Sequence, residues 1–315
     1  MRSAVLGLVA AIALVTSATG CKGKGKGESK PATPSVATDP WAGADAAAAP
    51  AEAPVVPFLW EATKDGKTLY LLGTIHVGVD ALTQLPPWVL AKLDAAPAFA
   101  METDITDPGV VKLLVRTDGQ TLEGELGPTD WARLREALGP ALADGMNGMK
   151  PFAAMSALAL KDLPMTAPMD SVLLARAQKA GKRIVFLETV AAQLAAIEPY
   201  ATAADIKAIL DHAAEAKGQS RAMIAAYLAG DAKALAALFD DQTFWVAAGR
   251  DPATYGAFVE STLTRRNRSW IAPLTAMADS GGGFVAVGAG HLVGPDHVPG
   301  MLAAAGFTVR RIEAP

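Results

Sequence analysis

The sequence predicts a globular domain of the α/β or α+β class over residues 58–315. Two observations predict this class. Short apolar runs of strand-like composition lie near both ends of the region, and mostly helical patterns separate them. The region is long enough for one large core. We therefore expect a single domain whose chain ends meet in one sheet, with a large helical insertion over residues 202–279.

The strands are predicted from composition and from the turns beside them. An Asp65-Gly66 pair between two apolar runs is a hairpin signal. The predicted strands are Phe58–Ala62, Thr68–Leu72, Ala98–Met101, Arg183–Leu187, Phe284–Val287 and Phe307–Ile312.

The helices are predicted from apolar spacing and from residues that start or stop a helix. One helix begins at Pro128, carries Trp131, Leu134 and Leu138 on one face, and stops at Gly139. The other predicted helices are Ala153–Leu160, Ser171–Ala180 and Val298–Ala305.

The first twenty residues have the parts of a secretory signal peptide. A basic residue precedes Ala4–Val15, which is apolar but too short to span a bilayer, and small residues follow. Cys21 comes next and is the only cysteine. This pattern resembles a bacterial lipobox, although Ala18 stands where a lipobox usually has leucine. We expect removal of residues 1–20 and lipidation of Cys21; the alternative is an ordinary secretory signal with an incidental cysteine.

Residues 21–57 form a low-complexity stretch rich in Lys, Gly, Pro and Ala, which predicts a flexible tether. By resemblance to lipoprotein sorting in Gram-negative bacteria, Lys22 after the cysteine favours the outer membrane. The domain would then face the periplasm on a lipid anchor. A soluble periplasmic or secreted protein is the alternative.

Charge and motifs exclude several classes of function. The formal net charge is -4 and no basic block follows the tether, so we expect no nucleic-acid partner. The sequence lacks a Gly-x-Ser-x-Gly elbow, a P-loop and a Gly-x-Gly-x-x-Gly turn. These absences argue against a serine hydrolase and a nucleotide-dependent enzyme. Because the only cysteine is at position 21, before the predicted domain, the domain has no cysteine that could act as a nucleophile.

Four side chains that carry chemistry each follow a predicted strand: His76, Glu102, Glu188 and His291. If these strands are parallel neighbours, the four groups converge at the sheet edge where ligands bind in open α/β folds. Each histidine ends a Gly-x-x-His sequence, and we expect the glycine to turn the chain sharply off its strand.

Two imidazoles and a carboxylate make a suitable catalytic metal site, since three protein ligands leave one position for water. His76, His291 and Glu102 are the candidate ligands. Each also has a structural interpretation. A histidine at a strand end is commonly structural, and Glu102 or Glu188 would cap the next helix, an interpretation that is stronger for Glu188.

The remaining polar candidates lie elsewhere in the chain. The segment 265–268 reads either as an exposed basic turn or as a source of one arginine and Asn267 for holding a substrate carbonyl or oxyanion. His212 is expected at the surface, and His297 in a loop or at a helix cap.

At these residues the chain resembles the TraB/GumN family, relatives of the Tiki proteins, over nearly all of Phe58–Ile312. The resemblance rests on Trp60-Glu61, Leu72–His76, Met101-Glu102, Met149–Pro151, Leu187–Thr189, Gln193-Leu194, Gly230-Asp231, Arg266-Asn267 and Val287–Gly294. It implies an α/β fold with a mixed sheet and helical layers. For the Tiki branch it implies metal-dependent protease activity with Mn or Co.

Carried over by motif, His76, His291 and Glu102 would be metal ligands or catalytic groups, and Arg266 and Asn267 supporting polar residues of the catalytic site. The resulting hypothesis is a metal-dependent hydrolase, a peptidase, that holds Mn, Co or Zn and acts on a peptide or protein substrate. Glu102 would be the third ligand or the general base. The alternatives are a haem- or ligand-binding lipoprotein, an esterase-type hydrolase and a non-catalytic scaffold.

Overall fold

The computed structural model describes residues 55–76, 78–164 and 166–314. The predicted signal peptide, the lipidation site Cys21 and nearly all of the predicted tether lie outside the described residues. Val55 is buried, and its N–H donates to the carbonyl of Gln84 over 3.0 Å. Packing of the domain therefore includes residues slightly before Phe58.

The described chain contains one mixed sheet. Its strands are β1 (Leu59–Lys64), β2 (Lys67–Thr74), β3 (Ala98–Met101), β4 (Arg183–Phe186), β5 (Gly283–Gly288) and β6 (Thr308–Ile312). Their order across the sheet is β4–β3–β5–β2–β1–β6. Strands β4, β3, β5 and β2 are parallel, and β1 runs antiparallel between β2 and β6. The predicted α/β class is confirmed, and the two chain ends meet where β1 pairs with β6.

The β1–β2 hairpin turns at the Asp-Gly pair that predicted it. Asp65 has a φ of 49° and Gly66 a φ of 71°. A two-residue hairpin of this kind needs a left-handed backbone at both positions, which aspartate tolerates and glycine adopts freely.

Helices make up most of the remaining described chain, and loops connect them. They are α1 (Pro87–Ala95), α2 (Val110–Leu114), α3 (Leu122–Leu138), α4 (Pro140–Met146), α5 (Pro151–Leu160), α6 (Met169–Lys179), α7 (Val190–Ile197), α8 (Ala203–Asp211), α9 (Ala213–Leu228), α10 (Ala232–Ala237), α11 (Thr243–Ala247), α12 (Tyr255–Val259), α13 (Arg265–Asp279), α14 (Gly290–Val293) and α15 (Val298–Ala304). Short 3-10 turns occupy Glu198–Tyr200, Leu238–Asp240 and Pro252–Thr254, and a π-helical turn, Glu260–Thr264, leads into α13. Within the described residues, no helix has the length and apolar character needed to cross a membrane.

Helix α3 begins earlier than the pattern at Pro128 predicted. Thr121 caps its first turn by accepting from the N–H of Gly124 over 3.0 Å. The helix is then interrupted at Gly127, whose φ is 77°. The apolar spacing seen in the sequence starts only after this kink, which explains the late predicted start.

Both faces of the sheet are covered. Along β5, Phe284 and Ala286 pack into the larger core, whereas Val285 and Val287 face a second core that includes Trp270 of α13. A strand buried on both faces reads as a continuous apolar run, as this one does. Polar groups that follow the strands therefore meet at the edge of a doubly covered sheet.

Candidate functional site

The parallel strands bring the four predicted strand-end side chains to one edge of the sheet. Glu102 directly follows β3, and His76, Glu188 and His291 follow β2, β4 and β5 within three residues. These four strands are neighbours that run in the same direction. The convergence on which the sequence hypothesis depended is therefore present in the fold.

The glycines before the two histidines do not act as sharp turns. Neither Gly73 nor Gly288 has a left-handed φ. A Cβ at Gly73 would lie 2.9 Å from the Cα of Ala289 and 3.0 Å from the Cβ of Phe58. The expected turning role is wrong, and Gly73 is needed because β2 passes close to the chain that leaves β5.

Glu102 is buried, and hydrogen bonds hold both of its carboxylate oxygens. Oε1 accepts from the N–H of Gly288 over 2.7 Å, and Oε2 accepts from Gln193 Nε2 over 2.8 Å and Arg266 Nη2 over 2.6 Å. Burial opposes ionisation, but the Arg266 guanidinium, the neighbouring imidazoles of His291 and His76 and the hydrogen bond from Gly288 outweigh it and lower the pKa of Glu102. Glu102 is therefore a fixed carboxylate that is weakly basic.

Arg266 is the central cation of the site. Its Nε and Nη2 donate to Glu188 Oε1 over 2.8 and 2.5 Å, its Nη2 also donates to Glu102, and its Nη1 donates to the carbonyl of Thr262 over 2.9 Å. Burial acts to lower the pKa of Arg266, but the two carboxylates raise it on balance. The guanidinium also lies over the Trp270 ring, 5.1 Å from its centroid. Arg266 therefore ties together the ends of two strands.

Glu188 differs from Glu102 in its protonation tendency. Burial raises the pKa of Glu188, and the attraction of Arg266 only partly offsets this effect. The two carboxylates share one guanidinium, yet burial dominates at Glu188 and neighbouring charges dominate at Glu102. Environments that move two pKa values apart are typical of acid–base sites.

His291 is fully buried, and its contacts define its tautomer. Nε2 lies 3.1 Å from Nη1 of Arg266, and Nδ1 lies 2.5 Å from Oδ1 of Asn267. Because a guanidinium only donates, Nε2 accepts and the Nδ1–H donates to Asn267. Burial, followed by the charge of Arg266, lowers the pKa of His291 to about 3. The imidazole is therefore neutral, and it packs against Trp270 with the ring centroids 4.4 Å apart.

His76 is oriented by a carboxylate that the sequence did not single out. Its Nδ1 lies 2.7 Å from Oδ2 of Asp170, while Thr74 Oγ1 donates to Asp170 Oδ1 over 2.8 Å. Burial opposes ionisation of Asp170, but the contacts with His76 and Thr74 lower its pKa. An ionised Asp170 accepts the Nδ1–H of His76, which places the basic lone pair of the neutral ring at Nε2.

The His76–Asp170 pair and the residues around Arg266 influence each other electrostatically. The His76 imidazole, when protonated, contributes to the lowered pKa values of both Glu102 and His291. His76 also lines a small cleft beside Gly288, which donates its N–H to Glu102. The electrostatic field at a reacting group in this cleft would therefore come from both the His76–Asp170 pair and the Arg266 cluster.

The donor atoms do not fit the metal set predicted from His76, His291 and Glu102. Nε2 of His291 faces the Arg266 guanidinium, and both oxygens of Glu102 accept hydrogen bonds. A divalent ion at these atoms would have to displace a buried cation. Among residues 55–76, 78–164 and 166–314, no group of three or more His, Cys, Asp or Glu is arranged to hold a metal ion.

The polar segment 265–268 divides between the interior and the surface. Arg266 and Asn267 are buried in the site, whereas Arg265 and Arg268 are exposed. Asn267 also donates from Nδ2 to the carbonyl of Asp296 over 3.0 Å. The prediction that one arginine and Asn267 point inward matches this placement, but they contact site side chains rather than an open position.

The favoured helix-cap interpretation of Glu188 is wrong. The cap of α7 is Thr189, whose side chain accepts from the N–H of Ala192. Sequence reasoning also missed Asp170, which looks like an ordinary acidic residue in the first turn of α6. Gln193 drew attention only within a family motif, yet it donates to Glu102.

The other two histidines lie away from this cluster. His297 caps α15 by accepting from the N–H of Gly300 over 3.0 Å, as the loop or cap expectation allowed. His212 separates α8 from α9, and its side chain is 41% exposed.

Comparison with known proteins identifies a family. A family model described as the TraB/PrgY/gumN family matches residues 58–311, which is most of the chain. Comparisons with curated proteins and with solved structures gave no significant match.

Proposed function

This chain belongs to the TraB/PrgY/gumN family, and we propose that its strand-end cluster is the active site of a hydrolase that cleaves peptide bonds. The observation that carries the proposal is the buried contact between His76 and Asp170 at the wall of a cleft. A histidine oriented by a carboxylate is a recurrent means of activating a nucleophile.

His76 is the general base in this proposal. Its Nε2 removes a proton from a water molecule while the water oxygen attacks the carbonyl carbon of the substrate. Asp170 stabilises the imidazolium that forms and keeps the ring in position. The imidazolium then gives the proton to the leaving amine as the carbon–nitrogen bond breaks, which returns His76 to its neutral form.

Glu102 is a poorer candidate for the base, because its oxygens hold Gly288, Gln193 and Arg266 and its pKa is lowered. We assign Glu102, Arg266 and Asn267 positioning roles. Arg266 joins the ends of β3 and β4, and Asn267 fixes His291. Held dipoles and charges of this kind cost little reorganisation during a reaction.

A metal-dependent form of this hydrolase, holding Mn, Co or Zn, is the form that the family resemblance implies. It would require Arg266 to leave His291, since the guanidinium lies 3.1 Å from Nε2. When bound, such an ion would polarise the substrate carbonyl and lower the pKa of a bound water. Metal analysis and chelation distinguish this form from activation by His76 and Asp170 alone.

An ester is the nearest alternative substrate, because the same attack of water applies to an ester carbonyl. Haem binding is less well supported. The cleft beside His76 has a volume of about 40 Å³, which is far too small for a porphyrin, and both ring nitrogens of His291 are engaged. We propose that the domain works in the periplasm on a lipid anchor at Cys21, on the strength of the N-terminal pattern.

The test is a cleavage screen of the full chain against peptide and ester libraries. His76→Asn should lower the rate by about 10²- to 10⁴-fold while circular dichroism shows an intact fold. His212→Asn is the matched control, because His212 lies outside the cluster, and it should retain the wild-type rate. A folded His76→Asn variant with wild-type activity would contradict the proposal.

A further inference from the structure

A small cleft lies beside His76, between the ends of β2 and β5 and the helices α9 and α10. It is lined by Thr74, Ile75, His76, Met223, Tyr227, Leu235, Phe239, Gly288, Ala289 and Gly290. Its volume is about 40 Å³. The cleft therefore borders the atoms that the proposed hydrolase uses, but the water activation described above does not use the apolar part of its lining.

The chemistry of the lining is apolar. Ile75, Met223, Leu235 and Phe239 present buried hydrocarbon or thioether side chains. The Tyr227 hydroxyl donates to the carbonyl of Gly73 over 2.7 Å, so it is committed to the protein. A polar ligand group would lose its hydration here without regaining hydrogen bonds from these side chains, whereas an apolar group would gain by leaving water.

Phe239 closes one wall of the cleft and limits its size. A Cβ on Gly290 would lie 2.4 Å from Cζ of Phe239, so the ring rests directly on the backbone of the turn before His291. A cavity volume of about 10–15 Å³ holds one water molecule. The cleft therefore has room for a few heavy atoms and excludes an aromatic ring.

We propose that this cleft is a specificity subsite that receives a small aliphatic group of the substrate, the size of an alanine or valine side chain, next to the bond that is cleaved. The inference rests on the proposed hydrolase function, because His76 places the scissile bond beside the cleft. One methylene in a pocket of fixed size changes kcat/KM by about 10- to 200-fold. Peptides with Ala or Val at the subsite position should therefore exceed those with Phe by at least about tenfold.

The test compares the full chain with two lining variants on a library of quenched fluorescent peptides that vary around the cleavage site. Phe239→Ala enlarges the subsite and should move the preference toward Leu and Phe. Leu235→Phe fills the subsite and should move it toward Gly. Leu82→Phe is the control, because Leu82 is 56% exposed and lies outside the lining, and it should leave the preference unchanged.

Cleavage without a preference for small aliphatic residues, or a preference that neither lining variant alters, would overturn the proposed subsite but not the proposed hydrolase function.

If the wild type cleaves no peptide, the proposed peptidase activity fails. In that case the proposed subsite is tested by ligand binding instead of cleavage. The Met223 methyl resonance is followed by NMR while N-acetyl methylamides of alanine, valine and phenylalanine are added. Selective perturbation by the two small amides supports the subsite, and an equal or absent response to all three overturns it.

Discussion

Nδ1 of His76 lies 2.7 Å from Oδ2 of Asp170, a contact that joins the end of β2 to the first turn of α6 across 94 positions of the chain. Thr74 holds the other carboxylate oxygen, so the acid is fixed from two directions. Both members of the pair are buried. The direction in which the imidazole points is therefore set by a residue on a different element.

Asp170→Asn should lower kcat by about 10²- to 10⁴-fold and leave KM nearly unchanged, because the amide permits the tautomer with its proton on Nε2. Steady-state kinetics on a cleaved peptide measures both quantities. Asp94→Asn is the control, since Asp94 pairs with Arg176 at the surface, and it should be neutral. A kcat within about twofold of wild type for Asp170→Asn would contradict a positioning role for this carboxylate.

Arg266→Met should lower the free energy of unfolding by about 3–5 kcal/mol, because it leaves Glu102 and Glu188 buried without their shared cation. Urea denaturation measures the loss. Adding Glu188→Gln to this variant should recover part of it by removing one of the unpaired charges.

Arg268→Met is the matched control for Arg266→Met, because Arg268 lies two residues further along α13 and makes an exposed ion pair with Glu260. Its cost should be at most about 1 kcal/mol. Equal losses for Arg266→Met and Arg268→Met would show that Arg266 does not organise the cluster.

Acid should destabilise the domain through His291. Its pKa is about 3 in the folded chain against a reference of 6.5, so the unfolded state binds the extra proton first. The contribution of His291 to stability is complete above about pH 6.5 and declines toward about pH 3, by at most about 1.4 kcal/mol per pH unit. Thermal unfolding from pH 7 to pH 4 measures the slope. His291→Gln should flatten it and His212→Gln should not; identical slopes in all three proteins would refute the assignment.

The proposed lipidation at Cys21 would give a membrane-bound protein in a Gram-negative host. Labelling with radioactive palmitate should mark the wild type, and Cys21→Ser should lose both the label and its place in the membrane fraction. Ser17→Ala, in the same segment, is the control and should retain both. An unlabelled wild type recovered in the soluble periplasmic fraction would favour an ordinary secretory signal.

The order of the strands was readable from the sequence because each strand and turn signal was local. The Asp65-Gly66 pair needs a left-handed turn, and the apolar run 284–287 is buried on both faces. Boundaries were less accurate where a backbone feature interrupted the pattern, as at Gly127 in α3.

The candidate site was only partly readable from the sequence. His76, Glu102 and His291 were found because each follows a strand, and parallel strands end together. Their partners depend on tertiary packing: Asp170 looks like a helix-start acid until α6 is placed against β2. Nor does any local pattern reveal that Arg266 faces His291, the contact that works against the predicted metal set.

In the proposed hydrolase, His76 and Asp170 activate water without an ion held by His76, Glu102 and His291. The most direct measurement is the peptide cleavage rate of the full chain after exhaustive chelation, with metal content determined on the same sample. The metal-free protein should cleave at the rate of the untreated protein, and added Mn, Co or Zn should not raise the rate. Loss of cleavage on chelation, with recovery when one of these ions binds stoichiometrically, would contradict activation by His76 and Asp170 alone.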